Sequence, residues 1–284
     1  SGKAGGVFLV LATQGVVLAA YFTARWALTR LWPPLGFILD VALLYSLLAL
    51  KDLIVHVGVV AGAVEGADFS EARLALSRVV GRDTACLSGE ALCRGAVETM
   101  AENFVDGFFS PLFWYILGGA LGFCFFGFPP IPAGVGAMLF FKAASTLDSM
   151  VGYKSPELLS FGWAGARLDD GMNFIPARLS LPLLTLGAWA SRLHPLRGFR
   201  VALRDRLKHD SPNAGHAEAF FSGALGVRLG GPTSYGGEEK DKAWLGAEFG
   251  DPDPGHIRAA ERLVYRSGWM AVIVSMGLIL VGFR

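Results

Sequence analysis

The chain has 284 residues, of which 53% are hydrophobic and only 17% are charged, and its mean hydropathy is +0.46. Soluble domains usually carry about 25% charged residues, so this composition argues against a soluble protein and indicates an integral membrane protein. The formal net charge of +1 excludes a strong general attraction to nucleic acid. The three cysteines, Cys86, Cys93 and Cys124, lack C-x-x-C spacing, so we expect neither a disulfide framework nor a zinc site.

A membrane-spanning helix needs about 20 mostly apolar residues. Five stretches are candidates: 5–26, 35–64, 108–128, 133–150 and 269–283. The second is interrupted by Lys51, Asp52 and His56. The third and fourth are separated by Pro-Pro-Ile-Pro, which cannot continue a helix and predicts a tight turn between two antiparallel helices. The polar clusters at the outer ends of this hairpin, 82–106 and 142–154, are expected to face one aqueous compartment or cavity.

The remaining segments are less apolar. Residues 68–106 have a helical pattern and predict one or two amphipathic helices at the membrane surface. Residues 179–190 are apolar but short and contain Pro182, so we expect a half-helix or re-entrant element buried in protein. The stretch 192–208 is rich in Lys and Arg, which indicates a cytoplasmic location. The stretch 230–255 is expected to be a polar loop.

The predicted fold is therefore all-α: a polytopic integral membrane protein with about five transmembrane helices. Further amphipathic and re-entrant helices carry the polar motifs. We expect a single membrane-embedded domain over residues 1–284, with a motif core at 79–237. The chain begins with Ser-Gly rather than Met, which we interpret as a trimmed terminus or the scar of a cleaved tag.

The first polar cluster comprises GRDT (81–84) and RGAVETMAENFVDG (94–107). On one α-helix, Glu98, Glu102 and Asp106 would share a face, with i, i+4 and i+8 spacing. Three acids on one face repel each other unless a cation or arginines compensate, and Mg²⁺ prefers such oxygen ligands. The alternative is a solvated helix face on which Arg94 pairs with Glu98.

The second cluster, at 140–154, places Lys142 and Asp148 at the end of an apolar helix. Charges at membrane depth are costly and mark functional sites. The alternative is a lysine that extends its ammonium group to the membrane surface and an ordinary acid at a helix end.

The third cluster, ARLDDGMNFIPAR (166–178), combines two carboxylates and one amide with flanking arginines. This combination fits a metal–phosphate site or a structural network of ion pairs. In the fourth cluster, KHDSPNAGHAEAF (208–220), Pro212 is expected at the first helical position. Such a helix start can hold an anion or serve only as a capped terminus. No P-loop, G-x-G-x-x-G, G-x-S-x-G or H-E-x-x-H motif occurs.

Together these clusters resemble the adenosylcobinamide-phosphate synthase family of cobalamin biosynthesis. The matching stretches occur in family order: GRDT, VETMAENFVDG with SPLF, STLDSMVGYK, FGWAGARLDDGMNFIPAR, SPNAGHAEA and LGVRLGGPTSYGG. They extend over residues 79–237. The chain departs from the family pattern at Ser145, where an Asn is expected, and at His216, where an aromatic residue is usual. The family's opening segment, with an Asp-Pro and a His-Pro, is not present.

The resemblance implies an ATP-dependent amide ligase at the cytoplasmic face of the inner (cytoplasmic) membrane. It would join a carboxylate of a corrinoid, adenosylcobyric acid, to the amine of 1-amino-2-propanol phosphate. ATP, Mg²⁺, the corrinoid and the lipid bilayer are implied partners, together with other membrane enzymes of cobalamin assembly; nucleic acid is not.

Candidate site residues follow from the clusters and the resemblance. The candidate catalytic residues are Glu98, Glu102 and Asp148. The candidate substrate- and phosphate-binding residues are Arg82, Asp83, Thr84, Arg94, Asn103, Lys142, Thr146, Ser149, Tyr153, Lys154, Arg167, Arg178, Ser211, Asn213 and Glu218. The candidate metal ligands are Asp106, Asp169, Asp170 and Asn173.

Two other functions fit the same residues. A membrane transporter of an anionic substrate could place half-helices around a midplane site. The chain could also be a membrane transferase that depends on Mg-diphosphate. Its acidic helix would then carry Asp169, Asp170 and Asn173, which would bind the Mg-diphosphate. ATP hydrolysis that depends on the corrinoid would separate the synthase from both.

Overall fold

The structure is a computed structural model that describes residues 2–151 and 160–282. It is almost entirely helical. The α-helices in chain order are α1 (Lys3–Leu31), α2 (Pro33–Leu47), α3 (Leu50–Glu65), α4 (Phe69–Ser77), α5 (Gly89–Asn103), α6 (Ser110–Phe126), α7 (Pro130–Val151), α8 (Trp163–Ala190), α9 (Pro195–Asp205), α10 (Ala214–Leu225) and α11 (Pro254–Gly282). A π-helical turn, Phe104–Phe109, joins α5 to α6, and a 3₁₀ turn, Arg206–Lys208, follows α9.

Four helical stretches in the described part of the chain are long and apolar enough to cross a membrane: Lys3–Leu31, Pro33–Glu65, Gly89–Phe126 and Pro130–Val151. This confirms an all-α, polytopic membrane protein. The second stretch is two helices, α2 and α3, with a break at Leu48 and Ala49. The fifth predicted span, 269–283, is the C-terminal part of α11, which is not among these four.

The contacts of the chain form two compact units. The first contains Ser1–Leu48, Phe108–Ile175 and Ser275–Arg284, and the second contains Ala49–Gly107 and Pro176–Val274. Helices α8 and α11 each contribute residues to both units. That residues 1–284 act as one membrane-embedded domain remains a prediction.

The first unit is built on two helix pairs. Helices α6 and α7 form the expected hairpin, with Gly127 in the left-handed conformation (φ 64°) ending α6. Their backbones approach closely, because a Cβ atom on Gly118 would lie 2.2 Å from Ala137 Cβ. Helices α1 and α2 are joined by a buried ion pair: Arg25 Nε lies 3.0 Å from Asp40 Oδ2, and the Tyr21 hydroxyl donates to Asp40 Oδ1 at 2.7 Å. No sequence pattern pointed to this pair.

The second unit is built around α10, all twelve residues of which are buried. Its side chains are small or aromatic, and Phe220 and Phe221 are fully enclosed. Helices α5 and α9 pack against it; a Cβ atom on Gly223 would lie 2.7 Å from the carbonyl oxygen of Arg197 on α9. This packing explains why α10 is so rich in Ala and Gly, since only small residues permit such close approach.

Three local expectations were wrong. Residues 179–190 are not a separate half-helix but the C-terminal part of α8, which continues through Pro176 and Pro182. Helix α10 begins at Ala214, two residues after Pro212. The stretch 230–255 is not only loop: it contains strands β2 (Thr233–Tyr235) and β3 (Glu238–Lys240), while β1 (Leu229–Gly230) pairs with β4 (Trp244–Leu245).

The hairpin β2–β3 has a physical cause that the sequence contains. Its two-residue connection is Gly236-Gly237, and both glycines have positive φ, 59° and 83°. Two consecutive residues with positive φ are typical of the tight turn whose twist matches an antiparallel pair of strands. Residues 68–106 similarly divide into two helices, α4 and α5, with the GRDT motif in the connection between them.

Candidate functional site

A polar cavity of about 120 Å³ lies within the second unit. Its walls come from the α4–α5 connection, helix α5, the turn after α9, helix α10 and the β1–β4 region. The lining residues are Arg82, Glu98, Glu102, Lys208, His209, Asp210, Glu218, Gly230, Thr233, Tyr235, Lys242 and Ala243. The structure thus brings the first cluster, the fourth cluster and residues 230–243 together, although Arg82 and Ala243 are 161 residues apart in the chain.

Glu98 is fixed on both of its carboxylate oxygens. Oε2 lies 2.5 Å from Arg82 Nη2, and Oε1 accepts a hydrogen bond from the backbone N–H of Gly230 at 2.6 Å. The side chain is 5% exposed and that of Arg82 14%. Gly230 can present its N–H here because its φ of 78° suits glycine. Glu98 therefore joins α5 to β1 and holds Arg82 at the cavity wall.

Glu218 is the second buried acid of the cavity, and it faces His209. His209 Nε2 lies 3.5 Å from Glu218 Oε1, and His209 Nδ1 accepts a hydrogen bond from the N–H of Ser211 at 2.9 Å. The neutral ring therefore carries its proton on Nε2, which faces the carboxylate. Burial, then the negative charges of Glu98 and Glu102, raise the pKa of Glu218. Burial, then the charge of Lys242, lowers the pKa of His209.

The β2–β3 hairpin supplies another wall of the cavity. Lys242 Nζ donates to the Tyr235 hydroxyl at 2.8 Å. Asp83 of the GRDT motif anchors the hairpin, because its Oδ2 accepts from Ser234 Oγ at 2.6 Å and from the N–H of Gly237 at 2.8 Å. These two hydrogen bonds lower the pKa of Asp83. Asp83 thus positions the hairpin and does not line the cavity.

Asp106 is not among the residues that line this cavity. The α-helical register of α5 ends at Asn103, and Asp106 lies in the π-helical turn, where the angular spacing of side chains changes. The expected i, i+4, i+8 face therefore contains Glu98 and Glu102 but stops before Asp106.

The first unit brings the second and third clusters together. A Cβ atom on Gly165 of α8 would lie 3.6 Å from Leu147 Cβ and 3.7 Å from the backbone nitrogen of Asp148 on α7. The start of α8, which carries Asp169 and Asp170, therefore packs against the end of α7. Phe141, Ala144 and Met172 form the shared buried core.

A chain of hydrogen bonds fixes Asp169 and Asn173. Ser110 Oγ, at the start of α6, donates to Asn173 Oδ1 at 2.6 Å, and Asn173 Nδ2 donates to Asp169 Oδ2 at 3.2 Å. Ser110 and Asn173 are 0% and 1% exposed. The amide of Asn173 is engaged at both ends, so it orients Asp169. Asp170 is partly exposed.

The other candidates on α7 and α8 have local partners or surface positions. Thr146 and Ser149 donate to the carbonyl oxygens of Lys142 and Ser145 within their own helix. Arg167 is exposed. Tyr153 and Lys154 lie outside the described residues.

The remaining candidates in the second unit support its fold. Arg94 lies 3.2 Å from Asp251 Oδ1 and over the Trp244 ring, so it does not pair with Glu98. Asn103 donates to the carbonyl of Thr99 in its own helix. The carbonyl of Thr84, a buried residue, accepts a backbone hydrogen bond within the α4–α5 connection.

The start of α10 is held by side chains of the fourth cluster. Ser211 Oγ accepts from the N–H groups of Asn213 and Ala214, each at 3.3 Å. Arg178 Nη1 lies 3.5 Å from Asn213 Oδ1. The oxygen of the Ser211 hydroxyl therefore caps the helix, and anion binding at this helix start stays a prediction.

Eight of the twelve lining residues were not among the sequence-predicted candidates: Lys208, His209, Asp210, Gly230, Thr233, Tyr235, Lys242 and Ala243. Six of them were detectable: Lys208, His209 and Asp210 belong to the fourth cluster, and Gly230, Thr233 and Tyr235 belong to the matched stretch LGVRLGGPTSYGG. Lys242 lies in a charged run that resembles any solvated surface. In the described part of the chain, no three His, Cys, Asp or Glu side chains converge to hold a metal ion by themselves. The cysteines there are free thiols, Cys93 buried and Cys86 and Cys124 exposed.

Comparison with known proteins identifies the family. The family model described as CobD/Cbib protein matches residues 1–264. The cobalamin biosynthesis protein CobD of Pelobacter propionicus is 38% identical over 274 residues, covering 96% of this chain and 80% of the relative. CobD of Geobacter metallireducens is 40% identical over 273 residues, covering 96% and 81%. The cobalamin biosynthesis protein CbiB of Salmonella typhimurium is 38% identical over 279 residues, covering 97% and 80%. No solved structure matches the chain. The chain therefore belongs to the CobD/CbiB family of cobalamin biosynthesis proteins.

Proposed function

We propose that the protein is an ATP-dependent acid–amine ligase that makes adenosylcobinamide phosphate. It joins a side-chain carboxylate of adenosylcobyric acid to the amine of 1-amino-2-propanol phosphate. The observation that carries this proposal is the second-unit cavity, in which Glu98, Glu102 and Glu218 stand with Arg82, Lys208 and Lys242 in a chain of a cobalamin biosynthesis family. A reaction between an amine and phosphorylated groups needs both signs of charge at one place.

ATP and Mg²⁺ fit the donor groups of the first unit. Asp169 and Asp170 are adjacent carboxylates, and Mg²⁺ is usually bound by one or two carboxylates together with substrate phosphates. A site of three or more protein carboxylates, histidines or cysteines is therefore not required. Bound ATP would supply the phosphoryl group that activates the corrinoid carboxylate and leaves as inorganic phosphate. Asn173, bonded to Asp169 Oδ2 at 3.2 Å, would hold that carboxylate in one orientation.

The ammonium group must lose one proton before its nitrogen can attack the activated carboxyl carbon and a second as the amide bond forms, and a carboxylate or imidazole can accept them. Glu98 is poorly suited, because Arg82 and the N–H of Gly230 occupy both of its oxygens. Glu102 lines the cavity and is exposed, so it is available to a ligand. Glu218, whose pKa is raised by burial and by Glu98 and Glu102, binds a proton more readily than an ordinary glutamate. Glu102 and Glu218 are therefore our candidates for the base, with Asp148 as the candidate in the first unit.

We further propose that the protein lies in the inner membrane with the cavity facing the cytoplasm, where ATP and the corrinoid are made. The basic helix α9 supports this orientation. Its exposed apolar residues, Leu196, Phe199 and Leu203, alternate with arginines in the manner of helices at a membrane surface. Other membrane enzymes of cobalamin assembly are expected neighbours.

Reconstitution tests the function directly. The purified chain in lipid nanodiscs receives adenosylcobyric acid, 1-amino-2-propanol phosphate and Mg-ATP, and mass spectrometry follows the corrinoid. We expect an amide product with one ATP consumed per product, and no ATP hydrolysis when the corrinoid is omitted. Corrinoid-independent hydrolysis without product would contradict the proposal. Substrate counterflow across proteoliposomes without chemical change would instead support the transporter.

A further inference from the structure

The volume of the second-unit cavity limits what it can bind. Pockets for drug-sized ligands usually have volumes of about 300–1,000 Å³, whereas this cavity has about 120 Å³. A nucleoside triphosphate is at least drug-sized, and a corrinoid is several times larger. The cavity therefore suits a ligand of only a few heavy atoms.

The acidic residues of the cavity suit a small cation. Glu218 is 4% exposed, and its contact with His209 at 3.5 Å is to a ring whose pKa is lowered by burial. A buried carboxylate is costly unless positive charge compensates it, and an ammonium group would add to the charges of Arg82 and Lys242 that act on Glu218. Glu102, the exposed acid of the three, adds a second carboxylate. An ammonium group offers several donors on a single positive charge, which matches two carboxylates.

The basic residues of the cavity suit a phosphate. Arg82 has five N–H donors, and its contact with Glu98 is made through Nη2. Lys242 has three donors and bonds Tyr235 at 2.8 Å. Both residues therefore retain donors for anionic oxygens, and Arg–phosphate pairing is among the strong hydrogen-bonding arrangements. Lys208 is less available, because its ammonium group lies 2.7 Å from Asp205 Oδ1.

We propose that this cavity is the subsite for a short zwitterion, with the ammonium group held by Glu102 and Glu218 and the phosphate held by Arg82 and Lys242. In the proposed function, on which this inference rests, the ligand is the aminoalcohol phosphate. The nucleotide and the corrinoid ring then bind outside this cavity, and only the amine end of the small substrate needs to meet the activated carboxyl group.

Binding of three probes tests this charge pattern without any reaction. The probes are 1-amino-2-propanol phosphate, 1-amino-2-propanol without phosphate, and 2-propyl phosphate without the amine. Binding to the full chain in nanodiscs is measured by ligand-observed NMR, with and without adenosylcobyric acid. We expect Lys242→Gln to weaken both phosphate probes at least tenfold and to leave the aminoalcohol unchanged. Glu218→Gln should weaken both amine probes and leave 2-propyl phosphate unchanged.

Matched controls come from the same hairpin. Lys240→Gln and Glu239→Gln remove exposed charges that do not line the cavity, so they should bind all three probes as the parent does. Thermal unfolding checks that each variant is folded. If Glu218→Gln does not fold, Glu102→Gln, at an exposed position, should give the same loss of the amine probes.

The binding and activity measurements together test the subsite and the proposed function separately. Absence of probe binding both with and without adenosylcobyric acid would overturn the subsite, as would equal loss of all three probes in both variants. Probe selectivity without ATP-dependent amide formation would contradict the proposed function and leave the subsite intact. Amide formation with an unchanged KM for the aminoalcohol phosphate in both variants would overturn the subsite and leave the function.

Discussion

Arg82 Nη2 lies 2.5 Å from Glu98 Oε2, and this ion pair joins the GRDT connection to helix α5 at the wall of the polar cavity. Both side chains are largely buried, at 14% and 5% exposure. Removing one partner of a buried pair leaves an uncompensated charge, which costs about 3–5 kcal/mol. The pair is therefore expected to matter for stability as well as for ligand binding.

Replacing either partner should destabilise the protein strongly. We expect Arg82→Met and Glu98→Gln each to lower the free energy of unfolding by about 3–5 kcal/mol, and the double variant to lose less than the sum. Denaturant unfolding in detergent measures all three. The control is Glu65→Gln, which breaks the exposed pair with Arg258 and should cost about 1 kcal/mol or less. Strict additivity of the two single variants would show that the pair does not act as a unit.

We expect His216 to make the folded protein less stable in acid. Burial, then the charges of Arg178 and Arg206, lowers the pKa of His216 from 6.5 to about 4, and its Nδ1 has no hydrogen-bond partner among the described residues. Between pH 6.5 and 4 the unfolded chain binds a proton that the folded chain does not, so stability falls as the pH falls through this window. This loss of folding stability reaches about 3 kcal/mol near pH 4 and is small at pH 7.

His216→Phe removes this proton-binding site and should flatten the decline of stability from pH 6.5 to 4. Unfolding midpoints measured across this range test the expectation, with His194→Asn, at an exposed position, as the control that keeps the parental decline. Equal acid sensitivity in the parent and in His216→Phe would show that other groups cause the decline.

Asp169 and Asp170 are expected to hold Mg²⁺ on a phosphate group, with Arg167 or Arg178 contacting that phosphate. Asp170→Asn should then lose activity by about tenfold or more while the thermal unfolding midpoint stays unchanged, and activity should partly return at high Mg²⁺. A purely structural role predicts the reverse pattern, with lower stability and no rescue by Mg²⁺. Normal turnover of both Asp169→Asn and Asp170→Asn at limiting Mg²⁺ would remove this assignment.

The hydrogen bond from Ser110 to Asn173 should contribute to the free energy of unfolding whether or not a metal is bound. Asn173→Leu leaves the buried Ser110 hydroxyl without its 2.6 Å acceptor, which costs about 1–3 kcal/mol. The double variant Ser110→Ala with Asn173→Leu should recover part of that loss. Ser149→Ala, whose hydroxyl bonds only its own helix, is the control and should change the free energy of unfolding by about 0.5 kcal/mol or less.

The orientation of the cavity can be tested by labelling. Glu239→Cys places a thiol on the exposed β2–β3 hairpin, in a background where the exposed Cys86 and Cys124 are replaced by Ser. An impermeant maleimide should label this position only after the cells are permeabilised. Labelling in intact cells would place the hairpin on the periplasmic side and contradict the proposed orientation.

The sequence alone determined the fold class and much of the local structure. Apolar stretches of helical length predicted the membrane helices, and Pro-Pro-Ile-Pro predicted the α6–α7 hairpin, because these signals depend on composition and backbone chemistry within a short window. The Gly236-Gly237 turn was equally local, but it was missed because the flanking residues are polar and resemble a loop.

Only the tertiary structure decided which motifs meet. Glu98 and Glu102 could be placed on one face from their spacing, but their partners Arg82, His209, Glu218 and Lys242 come from segments whose approach no local pattern records. The π-helical turn also separated Asp106 from that face. The hydrogen bond from Ser110 holds the Asn173 amide in place, and that amide orients Asp169. Such outcomes depend on long-range packing around buried elements such as α10, where close contacts between distant residues set the geometry.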